Sequence, residues 1–182
     1  MTATAASAMK TSATATATSS RERADLLETL ANHRGFLRFA VRNLTDEQAR
    51  LTPTASALSL GGLVKHVTAG ERGWADFIVR GAVAQELTPE KYAEFAADFV
   101  LAEHETLEGV LEAYEAVAAA TDELIRTVDL DADHAVPEAP WFESGARWSN
   151  RRALAHILAE TAQHAGHADI IRETIDGQKT MG

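Results

Sequence analysis

The chain has 182 residues, a formal net charge of -10 and no cysteine. That length allows one domain with a real hydrophobic core, and the acidic balance argues against nucleic acid or an anionic membrane as main partner, since both require clustered Lys and Arg. Without cysteine there is neither a disulfide nor a protein thiol nucleophile, so any thiol chemistry must use an imported thiol.

The first twenty residues, MTATAASAMKTSATATATSS, are Thr, Ala and Ser apart from Met1, Met9 and Lys10. They lack the bulky apolar run of a secretory signal and bury too little to order themselves, so a disordered tail is expected over 1–20 and a single domain over 21–182. From Ser20 the apolar residues Leu26, Leu27, Leu30, Phe36, Leu37, Val41 and Leu44 recur largely every three or four positions, which predicts a first helix. Thr45, followed by Glu47 and Gln48 and then Pro53, fits a short helical turn and a loop. A second helix is predicted from a Ser59 cap to a stop at Gly81, with Leu60, Leu63, Val67, Trp74, Phe77 and Ile78 as its apolar stripe.

Pro89 opens a short connecting helix in a long crossover. A third long helix runs from about Thr106 to Val128, judged by the periodicity of its apolar residues. The stretch DLDADHAVPEAPWFESGARW follows, long for a mere connector and carrying Trp141, Phe142 and Trp148. The fourth helix is capped by Ser149 and ends at Gly177. Four long amphipathic helices predict an all-α fold, a four-helix bundle. No stretch approaches the roughly eighteen consecutive apolar residues of a membrane span, so a soluble, cytoplasmic protein is expected.

The histidines then need placing. With His164 at zero on a helical wheel, Ile157, Thr161, Ala168 and Ile171 fall between about -20° and +60°, the core-facing stripe, with Glu160 near about -40° and His167 near about -60°. His156 lies farther round. On the second helix His66 faces inward among Gly62, Gly70 and Gly73, and glycine inside a helix costs about 1 kcal/mol relative to alanine. Room for a ligand or for another backbone would account for them. Inward Glu and His side chains three or four residues apart on facing helices are how bundles build metal sites. Imidazole and carboxylate suit zinc, nickel or iron(II), and three protein ligands leave positions open for substrate. Spacing allows His164 with His167, or Glu160 with His164; if both histidines bind, Glu160 becomes a supporting base or a weaker fourth ligand. The plain alternative is hydrogen-bonded structural histidines, with the three tryptophans as core and loop anchors. His33, His104 and His134 read as incidental.

LGGLVKHVTAGERGW and ETAQHAGHADIIRETIDG together closely resemble the DinB-like superfamily, in its branch of mycothiol-dependent S-transferases and maleylpyruvate isomerases. The resemblance runs from Arg21 to Gly177. It implies an up-up-down-down bundle, a divalent metal near one end held by His66, His164 and His167, and a homodimer. Many relatives space the last two ligands four residues apart, which here would select Glu160 with His164 or Gln163 with His167. The implied reaction joins a small thiol, mycothiol or a related one, to an electrophilic small molecule. Glu160 would accept the thiol proton or steer a histidine, and the loop with Trp141, Phe142 and Trp148 would wall the apolar part of the substrate. A metal-dependent hydrolase, a maleylpyruvate-type isomerase and a non-enzymatic stress-response protein with a structural metal are the rival readings.

Overall fold

The structure is a computed structural model that describes residues 2–83 and 88–180, with only the backbone course given for 2–19. Its elements are α1 (Thr2–Val41), α2 (Asp46–Arg50), α3 (Leu60–Arg80), α4 (Pro89–Ala97), α5 (Leu107–Thr127), β1 (Asp133–Ala135), β2 (Arg147–Ser149) and α6 (Asn150–Asp176). Local chemistry explains the boundaries. Side chains of Ser59, Thr88, Thr106 and Ser149 each accept a hydrogen bond from a backbone N–H of the first turn that they cap. Thr45 and Gln48 form the reciprocal capping box of α2. Gly81 and Gly177 close α3 and α6 with positive φ of 74° and 78°, which a Cβ would strain.

As bounded, α1 takes in residues 2–20, the stretch whose composition favours a disordered tail; Met1 lies outside the described residues, and the side chains of 2–19 likewise.

The four long helices close a ring in which α1 packs on α6, α6 on α3, α3 on α5 and α5 on α1. Contacts along their length give the directions. Arg151 near the start of α6 reaches Glu22, and Arg172 near its end reaches the carbonyls of Ala40 and Arg42, so α1 and α6 are parallel. Arg23 donates to the carbonyl of Val128 and Arg38 pairs with Glu115, so α5 runs against α1. One half of the core joins Leu37 and Val41 to Leu60, Leu63, Leu107 and Ile171; the other joins Leu30 to Phe77, Ile78, Ile125 and Leu154. Hence α3 is parallel to α5 and antiparallel to the other two. The order along the chain is up, down, down, up, which corrects the up-up-down-down order implied by the resemblance. The correction also explains the crossover at 81–106: consecutive parallel helices require the chain to travel back along the bundle before the second can begin.

Between the two halves each long helix carries a buried polar residue: Arg34, Glu71, Thr121 and Thr161. Arg34 pairs with Glu71 and, at 2.7 Å, with Asp122. The segment after α5 is not all loop. It holds an antiparallel hairpin in which Asp133 faces Ser149, His134 faces Trp148 and Ala135 faces Arg147. His134 is an anchor rather than incidental, its Nε2 lying 3.2 Å from the carbonyl oxygen of Ile78 and its ring edge-on to Phe77. Among the described residues no helix is long and apolar enough to cross a membrane.

Candidate metal centre

α3 and α6 cross antiparallel at His66 and His164, and the glycines of α3 decide what comes near. A Cβ on Gly62 would overlap the carbonyl oxygen of Phe99, and one on Gly61 would lie 2.7 Å from Leu101. These two positions therefore let the chain after α4 settle onto the helix. Phe99, so placed, stacks on the His66 ring with centroids 3.7 Å apart at 18°. Gly70 and Gly73 are different: nothing lies within 4 Å of the Cβ that either lacks. They border open space, so of the two explanations offered for the glycines, backbone approach holds at Gly62 and ligand room at Gly70 and Gly73.

Glu160 and His164 lie one turn apart on α6 and project towards His66. The His66 and His164 rings meet edge-on with centroids 4.8 Å apart, and Nε2 of His164 is 3.5 Å from a Glu160 carboxylate oxygen. One donor atom from each of His66, Glu160 and His164 lies within 4.8 Å of the other two. His167, expected in the ligand set, stands elsewhere: its Nδ1 is 3.3 Å from Nδ1 of His164, on the side of that ring turned away from Glu160. A lone pair on Nε2 of His164 requires its proton on Nδ1, where Nδ1 of His167 accepts it. Such support of a ligand's second nitrogen fixes ring and tautomer. His156 reaches Glu160 only at 3.9 Å and sits among aromatic rings, outside the trio.

The donors suit a divalent cation. Burial lowers His66 to about 4, the neighbouring His164 adding to the effect and Glu160 opposing it. Burial also holds His164 below the ordinary histidine value, against the pull of Glu160. Both imidazoles are consequently neutral near pH 7, the form that ligates metal. Two imidazoles and a carboxylate make up a three-ligand set that leaves positions free.

A cavity of about 400 Å³ opens beside the trio, with His66 and Glu160 in its wall together with Trp74, Phe142, His156 and Trp141. A second, of about 450 Å³, shares His66, Gly70, Trp74 and Phe95 with it. Along the outer flank of α3 runs a polar cleft of about 410 Å³ bordered by Lys65, Arg72, Asp98, His104 and Glu105. The aromatic group around Trp74 and the Phe99 stack are only partly legible in the sequence. Trp141, Phe142 and Trp148 could be named from their crowding in one loop, whereas Phe99 follows a helix without periodic signal.

Fold and site together define a helical bundle whose paired helices present two neutral imidazoles and a carboxylate at the rim of an apolar cavity. The family model described as mycothiol-S-transferase matches residues 25–177, and the chain belongs to that family, in keeping with its resemblance to the DinB-like superfamily. Among solved structures, one titled as the conserved protein of locus from Enterococcus faecalis is similar, with a TM-score of 0.61 and 16% identity over 84% of this chain and 96% of that one. At that identity it supports the fold alone. No match was found among curated proteins.

Proposed function

We propose that the protein is a metal-dependent thiol S-transferase that joins a mycothiol-type thiol to an electrophilic small molecule, with His66, Glu160 and His164 holding the ion. The observation that carries the reading is the convergence of those three donors from two helices, in a chain of this family, beside a cavity large enough for a small molecule. A divalent ion held there would lower the pKa of a thiol brought to it, supplying thiolate near neutral pH. The remaining work belongs to the chain. Of the roles open to it, Glu160 takes that of a ligand paired with His164, and His167 keeps the His164 ring and tautomer in place. The polar cleft at Lys65, Arg72 and Asp98 suits the hydrophilic carrier of the thiol, while the aromatic walls exclude water from the reacting sulfur. A homodimer, as the resemblance implies, belongs to the same proposal.

The test is a transfer assay with metal-loaded protein, mycothiol and a panel of electrophiles. Thiol consumption matched by conjugate formation, lost in His66→Ala with helix content retained, is expected; undiminished turnover by His66→Ala would exclude the assigned centre.

A further inference from the structure

We infer that the aromatic cavity beside the trio is an acceptor subsite for a planar, apolar electrophile that carries no negative charge. The inference takes its reaction from the thiol-transfer reading but not its binding.

The shape comes from rings. Trp74 and Trp148 stack with centroids 4.7 Å apart at 12°, and Phe142 stands edge-on to both at 6.4 and 5.4 Å. His156 is edge-on to the same pair at 4.8 and 5.3 Å. The cluster ties α3, β2 and α6 together, with Trp148 backing Trp74 while Trp74, Trp141, Phe142 and His156 line the cavity, and flat faces in fixed orientation favour a flat guest. The space is kept open by α3 itself, since Gly70 lines both cavities and has nothing within 4 Å of its missing Cβ. With His66 and Glu160 in the wall, a guest there lies against the donors rather than in a remote pocket.

The charge preference has a separate origin. Among the described residues lining this cavity there is no Lys or Arg, but there are two carboxylates, Glu71 and Glu160. Glu71 is already matched by Arg34, which is itself buried and shared with Asp122. Arg152 stands behind the lining, its guanidinium 4.3 Å over the Trp148 ring, so without a bound ion the lining itself offers a substrate carboxylate no side-chain cation, and removing such a group from water without a partner is costly. In the metal-free protein a maleyl-type dicarboxylate, the substrate class of the isomerase reading, therefore finds two carboxylates and no cationic side chain in this lining. For a neutral aromatic electrophile the step balances simply. The thiol sulfur forms a C–S bond to the electrophilic carbon, the leaving group departs with the electron pair of its bond, and the thiol proton is released to solvent or to that group.

Binding can be read without turnover, from tryptophan fluorescence of the full, metal-free chain titrated with 1-nitronaphthalene, a neutral flat quencher, and with maleate as a competing dianion. We expect saturable quenching, at least tenfold weaker binding in Gly70→Leu and in Phe142→Ala with unchanged helical circular dichroism, and no displacement by maleate. Undiminished affinity in folded Gly70→Leu, or displacement by maleate, would overturn the inference. Saturable, Gly70-sensitive quenching in a protein that transfers no thiol would uphold the subsite and remove the reaction assigned to it.

Discussion

Gly62 and Gly70 share a helix and a residue type but answer different demands. Gly62→Ala must push Phe99 and its carbonyl off α3, so it should destabilise the fold by about 1–3 kcal/mol, as overpacking does, and disturb the His66 stack. Gly70→Ala meets open space and should stabilise the helix by about 1 kcal/mol while narrowing the cavity. Urea unfolding of the two variants checks the opposite signs. His66 yields a pH prediction. Its folded pKa of about 4 lies below the ordinary value of 6.5, so between those values the unfolded chain binds a proton that the folded chain refuses. Stability of the metal-free protein should thus be complete above pH 6.5, fall as pH drops towards 4 and level off below, by about 3 kcal/mol at most for this residue. His66→Phe should flatten that slope in denaturation curves taken across the range.

Helix ends were largely legible in the sequence because caps are local chemistry: Ser59, Pro89, Thr106, Ser149, Gly81 and Gly177 all act where their residue types suggested. The core face of α6 was legible as well, for Ile157, Thr161, His164, Ala168 and Ile171 are all buried. What the wheel could not separate was Glu160 from His167. They lie at similar angles but about two turns apart, on either side of His164, and only the height at which His66 meets α6 decides which of them it faces. The hairpin was hidden for another reason, since strands of three residues are too short for an alternating pattern to emerge. The ion pair of Arg34 with Glu71 likewise depends on three helices meeting. Replacing Glu71 by Ala leaves a guanidinium buried with only Asp122 for a partner, and should cost about 3–5 kcal/mol. Thermal unfolding measures that loss, and the double variant Arg34→Met with Glu71→Leu should recover much of it.

At the scale of the molecule, the bundle brings a parallel pair, α1 and α6, against a second parallel pair, α3 and α5, and the donor set spans the α3–α6 seam between the pairs. An ion bound there links two helices that the chain connects only through α4, α5 and the hairpin. Binding to the folded state alone should raise its stability by about 2.7 kcal/mol when the free ion is at a hundred times its Kd. That gain, seen as a concentration-dependent rise in Tm, should vanish in His66→Ala. The direction of the helices matters here, because antiparallel α3 and α6 set His66 opposite Glu160 and His164 while Trp74 meets His156 farther along the same seam.

The most direct test of the account is the metal content of the purified, metal-replete protein by elemental analysis, beside Glu160→Ala and His167→Gln. One divalent ion per chain, lost in Glu160→Ala and retained in His167→Gln with weaker affinity, is the predicted result. Loss in His167→Gln with retention in Glu160→Ala would contradict the donor set, and an absence of metal from all three would remove the centre altogether.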